Sequence, residues 1–214
     1  MINFLTIDDK VETEMEVKDY LVAFSTQTTR YCVGIVDIVG SSKTAAKLSL
    51  DKLGKYYELF LNSMSRIILQ CGGVVVKNVG DSLMYYFPQS SKNRKFGFMC
   101  CLESCLNMIE IHKQLNAKLD GSGLPSLDYR VSADYGTVIL MKANQSLVND
   151  MIGPSVNMCV KINRHATTNN AVIGGDLYEL VKNFNDYDFK KVSEYSIGLK
   201  HAYPVYSVTR KQYL

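Results

Sequence analysis

Tyr31 to Ile38 (YCVGIVDI) is a nearly unbroken apolar, β-branched run, the pattern of a buried strand. Upstream, Val11 to Phe24 mixes apolar and charged positions at a spacing that predicts an N-terminal helix. Ser41 and Ser42 are placed to cap a helix. Apolar residues then recur at helical spacing from Leu53 through Tyr57, Phe60, Leu61, Met64, Ile67 and Ile68, until Cys71-Gly72-Gly73 stops the helix. Val74 to Lys77 and Ser82 to Phe87 flank Asn78-Val79-Gly80-Asp81 and predict a β-hairpin. A second long helix is expected from about Lys95 to Leu119, with Phe96, Met99, Cys100, Leu102, Leu106, Ile109 and Leu115 on its apolar side.

After the loop Asp120-Gly121-Ser122-Gly123, Tyr129 to Asp134 and Thr137 to Lys142 read as another hairpin around Tyr135-Gly136. Asn144 to Asp150 is polar and irregular. Gly153-Pro154-Ser155 opens a helix over Val156 to His165, with proline suited to a first turn. Ala171 to Ile173 predicts a strand, Asp176 to Lys182 a helix, and Asp188 to Val192 and Ala202 to Thr209 two closing strands. The order β-α-β-β-α-β-β-α-β-α-β-β implies a mixed or antiparallel sheet with helices packed on it, an α+β sandwich.

Composition narrows the function classes. A chain of 214 residues fits one domain with a short appendage, and 47% apolar against 21% charged residues is material for a buried core. A formal charge of +3 is too mild for a nucleic-acid surface. No apolar stretch has the 18 or so residues of a membrane span. Met1 to Lys10 lacks a basic start and carries Asp8 and Asp9, so no signal peptide is expected. Six cysteines without a CxxC pair and three scattered histidines do not make a zinc site; reduced thiols and a cytoplasmic location are expected.

Two carboxylates stand out by position. Asp37 interrupts the apolar run and Asp81 follows Gly80 in a turn. A charge in an apolar strand is costly unless paired or metal-bound, and two carboxylates brought together make a hard-oxygen site for Mg²⁺ or Mn²⁺. Read alone, a salt-bridged Asp37 and a simple turn residue at Asp81 fit as well.

Val36-Asp37-Ile38-Val39-Gly40-Ser41-Ser42, then Val76-Lys77-Asn78-Val79-Gly80-Asp81-Ser82-Leu83-Met84, then Asp150-Met151-Ile152-Gly153-Pro154-Ser155-Val156-Asn157-Met158, together resemble the catalytic domain of the class III nucleotidyl cyclases. The resemblance implies an α+β fold with a ferredoxin-like βαββαβ core and additional C-terminal strands and helices. It assigns residues 31–209 to the catalytic domain, 1–30 to an extension and 210–214 to a tail. It further implies a homodimer with sites shared between chains, ATP as substrate, and two Mg²⁺ or Mn²⁺ ions as cofactors.

On that resemblance Asp37 and Asp81 match the metal carboxylates, assisted by the Ile38 carbonyl, and Gly40 and Ser41 lie in the loop whose amides approach the phosphates. Lys77 and Asp150 match the base-reading pair, with a polarity that suits adenine. Asn157 matches the asparagine that orients the ribose. Where the family has a phosphate-contacting arginine four residues on, this chain has Lys161, with Arg164 as a substitute three residues later. Lys200 resembles the triphosphate-binding lysine, with His201 where glycine is common. An adenylate cyclase is the leading expectation. A degenerate cyclase-homology domain that binds nucleotide or a partner without turnover is the alternative, favoured by Lys161.

Overall fold

The apolar run around Tyr31 lies within β1 (Val22–Ile38), a strand paired antiparallel on both edges. The structure, a computed structural model, describes residues 22–143, 149–196, 198 and 201–212. After β1 come α1 (Ser41–Ala45), α2 (Leu50–Gln70), β2 (Val74–Val79), β3 (Ser82–Phe87), α3 (Gln89–Lys92), α4 (Arg94–Glu110) and α5 (His112–Asp120). The second half holds β4 (Tyr129–Ala143), β5 (Asn149–Ile152), α6 (Pro154–Asn163), β6 (Asn170–Gly174), α7 (Gly175–Val181), β7 (Tyr187–Tyr195) and β8 (Tyr203–Arg210).

One sheet runs in the order β2-β3-β1-β4-β6-β8-β7, with β5 pairing β4 off that path. All pairings are antiparallel except β4 with β6. The order β2-β3-β1-β4, with α2 and α4 as the connecting helices, is the expected ferredoxin-like βαββαβ core, and β6 to β8 extend it. The fold is α+β, as expected.

Period-two alternation along β1 divides the two faces. Cys32, Val36 and Ile38 face a core completed by Tyr56, Phe60, Met64 and Ile68 of α2 and Cys101, Leu102, Cys105 and Met108 of α4. Val33 and Ile35 face the other way, onto Val156 and Cys159 of α6. Asp37 continues this second series. It therefore emerges on the α6 side, and that placement fixes where chemistry is possible.

Four local expectations are corrected. Tyr135-Gly136 is no turn: β4 runs straight through it, because Cys32 and Tyr31 of β1 hold Tyr135 and Gly136 in register. Gly136 serves a close approach instead, since a Cβ there would sit 3.0 Å from the Ser155 side chain. Asn149 and Asp150 begin a strand, β5, paired to Met141 and Lys142 of β4. The helix expected from Lys95 breaks at Ile111 into α4 and α5, whose apolar sides stay on one core and so hide the break from periodicity. Finally, 22–24 belong to β1, paired with 141–143, and not to a helix; 11–21 lie outside the described residues. The six cysteines are free thiols, four buried and two half-buried. No described helix is long and apolar enough to cross a membrane.

Candidate functional site

Asp37 stands one residue from the end of β1, with Ser82 of β3 and Arg130 of β4 as its cross-strand neighbours. Directly opposed residues share a face, so all three project toward α6. Burial first, and then the nearby Asp81 charge, push the Asp37 carboxyl up to about 6 against the opposing pull of Arg130 and Arg164. Two carboxylates that repel each other, flanked by cations, form a hard-oxygen pair that a divalent ion would relieve. Among the described residues no three His, Cys, Asp or Glu side chains cluster as a metal cage. Ile38, the last residue of β1, is buried.

The chain then reverses. Gly40 has φ 70° and ψ 22°, a left-handed conformation that glycine adopts freely, and it stands at the N-cap of α1, which begins at Ser41. Val39 N–H donates to the Asp128 carbonyl at 2.8 Å, fixing the exit of β1. Asp81 sits at the β2–β3 turn, where Ser82 Oγ donates to the Val79 carbonyl at 3.0 Å. Burial raises the phenol of Tyr57 on α2, and the nearby Asp81 charge adds to that rise.

Lys77 and Asp150 come from β2 and β5, strands that are not sheet neighbours, yet Lys77 Nζ donates to Asp150 Oδ2 at 2.5 Å. The other oxygen, Oδ1, accepts the Met151 amide at 2.6 Å, which orients the carboxylate. Both side chains remain about one-third exposed, so the pair is open to a ligand.

α6 supplies the remaining residues. Asn157, Lys161 and Arg164 lie exposed along its outer side. Lys161 Nζ is 5.0 Å from the centroid of the Tyr195 ring, a cation–π contact at the rim of a cavity of about 570 Å³ that Arg164, His165, Glu194 and Ser196 also line. Arg164 also lines a second cavity, of about 280 Å³, together with Asp37, Ser82, Asn163 and Val160. Asn163 fastens this end of α6 to the sheet: its Nδ2 donates to Ser132 Oγ at 3.2 Å and approaches the Ile35 and Arg130 carbonyls at 3.4 Å.

The sequence-derived residues thus fall into separate groups. Asp81 and Arg164 both act on Asp37, Lys77 and Asp150 pair together, and Lys161 rests on Tyr195. Lys200 lies outside the described residues. Arg130, Asn163 and Tyr195 were not singled out by sequence reasoning. Arg130 alone leaves a trace there, a cation inside the apolar alternation of Tyr129 to Ala133.

Comparison with known proteins gives a consistent picture. Residues 24–210 match the family described as Adenylate and Guanylate cyclase catalytic domain. A curated relative from Staphylococcus aureus, named Cytidylate cyclase, is 24% identical over 173 residues, which cover 75% of this chain and 40% of that protein. The chain therefore spans about two-fifths of that relative's length. The adenylyl cyclase CyaB from P. aeruginosa superposes with a TM-score of 0.78 at 21% identity, covering 87% of this chain and 96% of that one. The guanylyl cyclase Cya2 superposes with a TM-score of 0.74 at 16% identity, covering 85% and 92%. At such identities these structures speak to the fold, while the family match spans nearly the whole described chain. The protein belongs to the adenylate and guanylate cyclase catalytic domain family.

Proposed function

We propose that this domain is a nucleotidyl cyclase that converts ATP to 3′,5′-cyclic AMP and pyrophosphate at sites shared between two copies of the chain. The observation that carries the choice of base is the Lys77–Asp150 pair. An ammonium only donates and a carboxylate only accepts. Adenine offers an acceptor at N1 and a donor at N6, the complementary pattern. Guanine and uracil offer a ring N–H beside a carbonyl oxygen, so each would place donor against donor and acceptor against acceptor.

Asp37, Asp81 and the Ile38 carbonyl would hold two Mg²⁺ or Mn²⁺ ions, a hard-oxygen set of the kind such ions take. When bound, these ions offset triphosphate charge and ease ionisation of the ribose 3′-hydroxyl. The chain's own groups do the rest. Amides at Gly40 and Ser41 meet phosphate oxygens, Asn157 fixes the ribose, and the Lys161 ammonium, with Lys200, meets charge developing as pyrophosphate leaves. Val79, Val160 and Ile152 are 55%, 44% and 41% exposed around these groups. That apolar rim favours cover by a second copy, whose Lys77 and Asp150 would face the first copy's carboxylates.

The S. aureus relative favours a second substrate. Cytosine presents N3 and N4 with the same polarity as adenine N1 and N6, so CTP satisfies Lys77 and Asp150 equally, and base size must separate the two. The test is incubation of the purified protein with Mn²⁺ and each of ATP, GTP, CTP and UTP, with cyclic products identified by mass spectrometry. Cyclic AMP is expected. Cyclic CMP alone would select the second substrate, a cyclic product from GTP or UTP would overturn the base-reading role, and no product with intact binding would mark a domain without turnover.

A further inference from the structure

α6 and its C-cap carry two cations less than one turn apart; both line the larger cavity, and of the two only Arg164 also lines the cavity that holds Asp37. Lys161 is drawn to Tyr195. Arg164 stands at the C-cap of α6, beside Asn163, whose amide is held to Ser132 and near the carbonyls of Ile35 and Arg130. Arg130 is the cross-strand neighbour of Asp37, and Ile35 precedes Asp37 by one pleat on the same face. The residue before Arg164 is therefore tied to the strand positions around Asp37, and Arg164 and Asp37 line one cavity. Lys161 does not line that cavity.

We propose that Arg164 belongs to the carboxylate half of the site, contacting the triphosphate held beside Asp37 of its own chain, and does not reach across to stand in for a transition-state arginine at the position of Lys161. A planar guanidinium with paired donors suits phosphate oxygens, and its charge offsets the Asp37 carboxylate that lines the same cavity. Lys161 then remains the cation presented to the partner's carboxylates. The inference rests on the shared-site reading above and assigns Arg164 to one side of it.

Mixed dimers separate the possibilities. The control pair, Asp37→Ala with Lys77→Ala, leaves one intact site in each mixed dimer, so random exchange restores about a quarter of wild-type turnover. If Arg164 works with its own Asp37, Arg164→Ala should be restored to a similar level by Lys77→Ala, but not by Asp37→Ala, which damages the same half. Binding of 3′-deoxy-ATP with Mn²⁺, an analogue unable to cyclise, should follow the same pattern in calorimetry. Arg164 is exposed, so removing it should leave the circular dichroism spectrum unchanged. Restoration by Asp37→Ala instead would place Arg164 across the interface and overturn the assignment. So would restoration by both partners, by neither, or full activity of Arg164→Ala alone. Failure of the control pair despite verified exchange would remove the shared-site reading itself, and the inference with it.

Discussion

At the scale of single residues, the site is defined by charges in places where charge is expensive. Asp37→Ala and Asp81→Ala should each abolish Mn²⁺-dependent nucleotide binding in calorimetry while leaving thermal unfolding cooperative; unchanged binding in both would remove the metal assignment. Lys161→Arg should raise turnover about tenfold with little change in nucleotide affinity. One good transition-state donor is worth roughly a hundred- to a thousandfold, and lysine already supplies the charge. Arginine would keep the stacking on Tyr195, so a lower rate after this substitution would mean that Lys161 is already matched to its task. Asp37, Asp81, Lys77 and Asp150 were legible in the sequence, because a carboxylate inside an apolar run or a tight turn needs an explanation and three ordered motifs supply one. Arg130 and Asn163 were not. Each matters through a partner brought by strand pairing or helix docking from a distant part of the chain, and no local pattern encodes that partner.

At the scale of elements, the hold of α6 on the sheet sets the site. Asn163→Ala would release the contacts to Ser132, Ile35 and Arg130 and should cost about 1–2 kcal/mol of stability, with nucleotide affinity falling as Arg164 loses its position. Stability from denaturant unfolding and affinity from calorimetry check the two parts separately. A buried carboxylate lies under α7. Asp134 accepts the Tyr203 hydroxyl at 2.8 Å and the Tyr135 amide at 2.9 Å, yet burial pushes its carboxyl from 3.8 to about 7. The folded state thus retains a proton that the unfolded chain releases near pH 4. This stabilisation is complete below about pH 4 and is lost as pH rises through about 7. Thermal stability should therefore fall from about pH 4 to about pH 7 and level off above, and Asp134→Asn should flatten that slope. Most elements were legible from periodicity. The failures came where one residue type serves two purposes: Gly136 read as a turn, although its lack of a side chain makes room for Ser155 within an unbroken strand.

At the scale of the whole molecule, the α6 side of the sheet is only partly covered. Tyr31, Met84 and Tyr86 flank the α6 contact and are only half-buried, with the Tyr31 and Tyr86 ring centroids 4.9 Å apart. In a dimer sharing its sites across this face, Tyr86→Glu should give a folded monomer in analytical ultracentrifugation and lose cyclase activity; a dimer that persists would place the interface elsewhere. The sequence could suggest such a pairing by family resemblance only, since apolar residues of a core and of an interface read alike. The position of β1 has a further consequence, in the order of events during synthesis. Its register is completed on one edge by Ser82 to Phe87 and on the other by Tyr129 to Ala143, which leave the ribosome much later. Until then the YCVGIVDI segment has an unpaired, strongly apolar edge, the kind that associates with other chains. Nascent chains stopped before Tyr129 should therefore aggregate or be held by chaperones, and refolding should be slow for the length, because the strand that carries Asp37 closes through contacts distant in sequence.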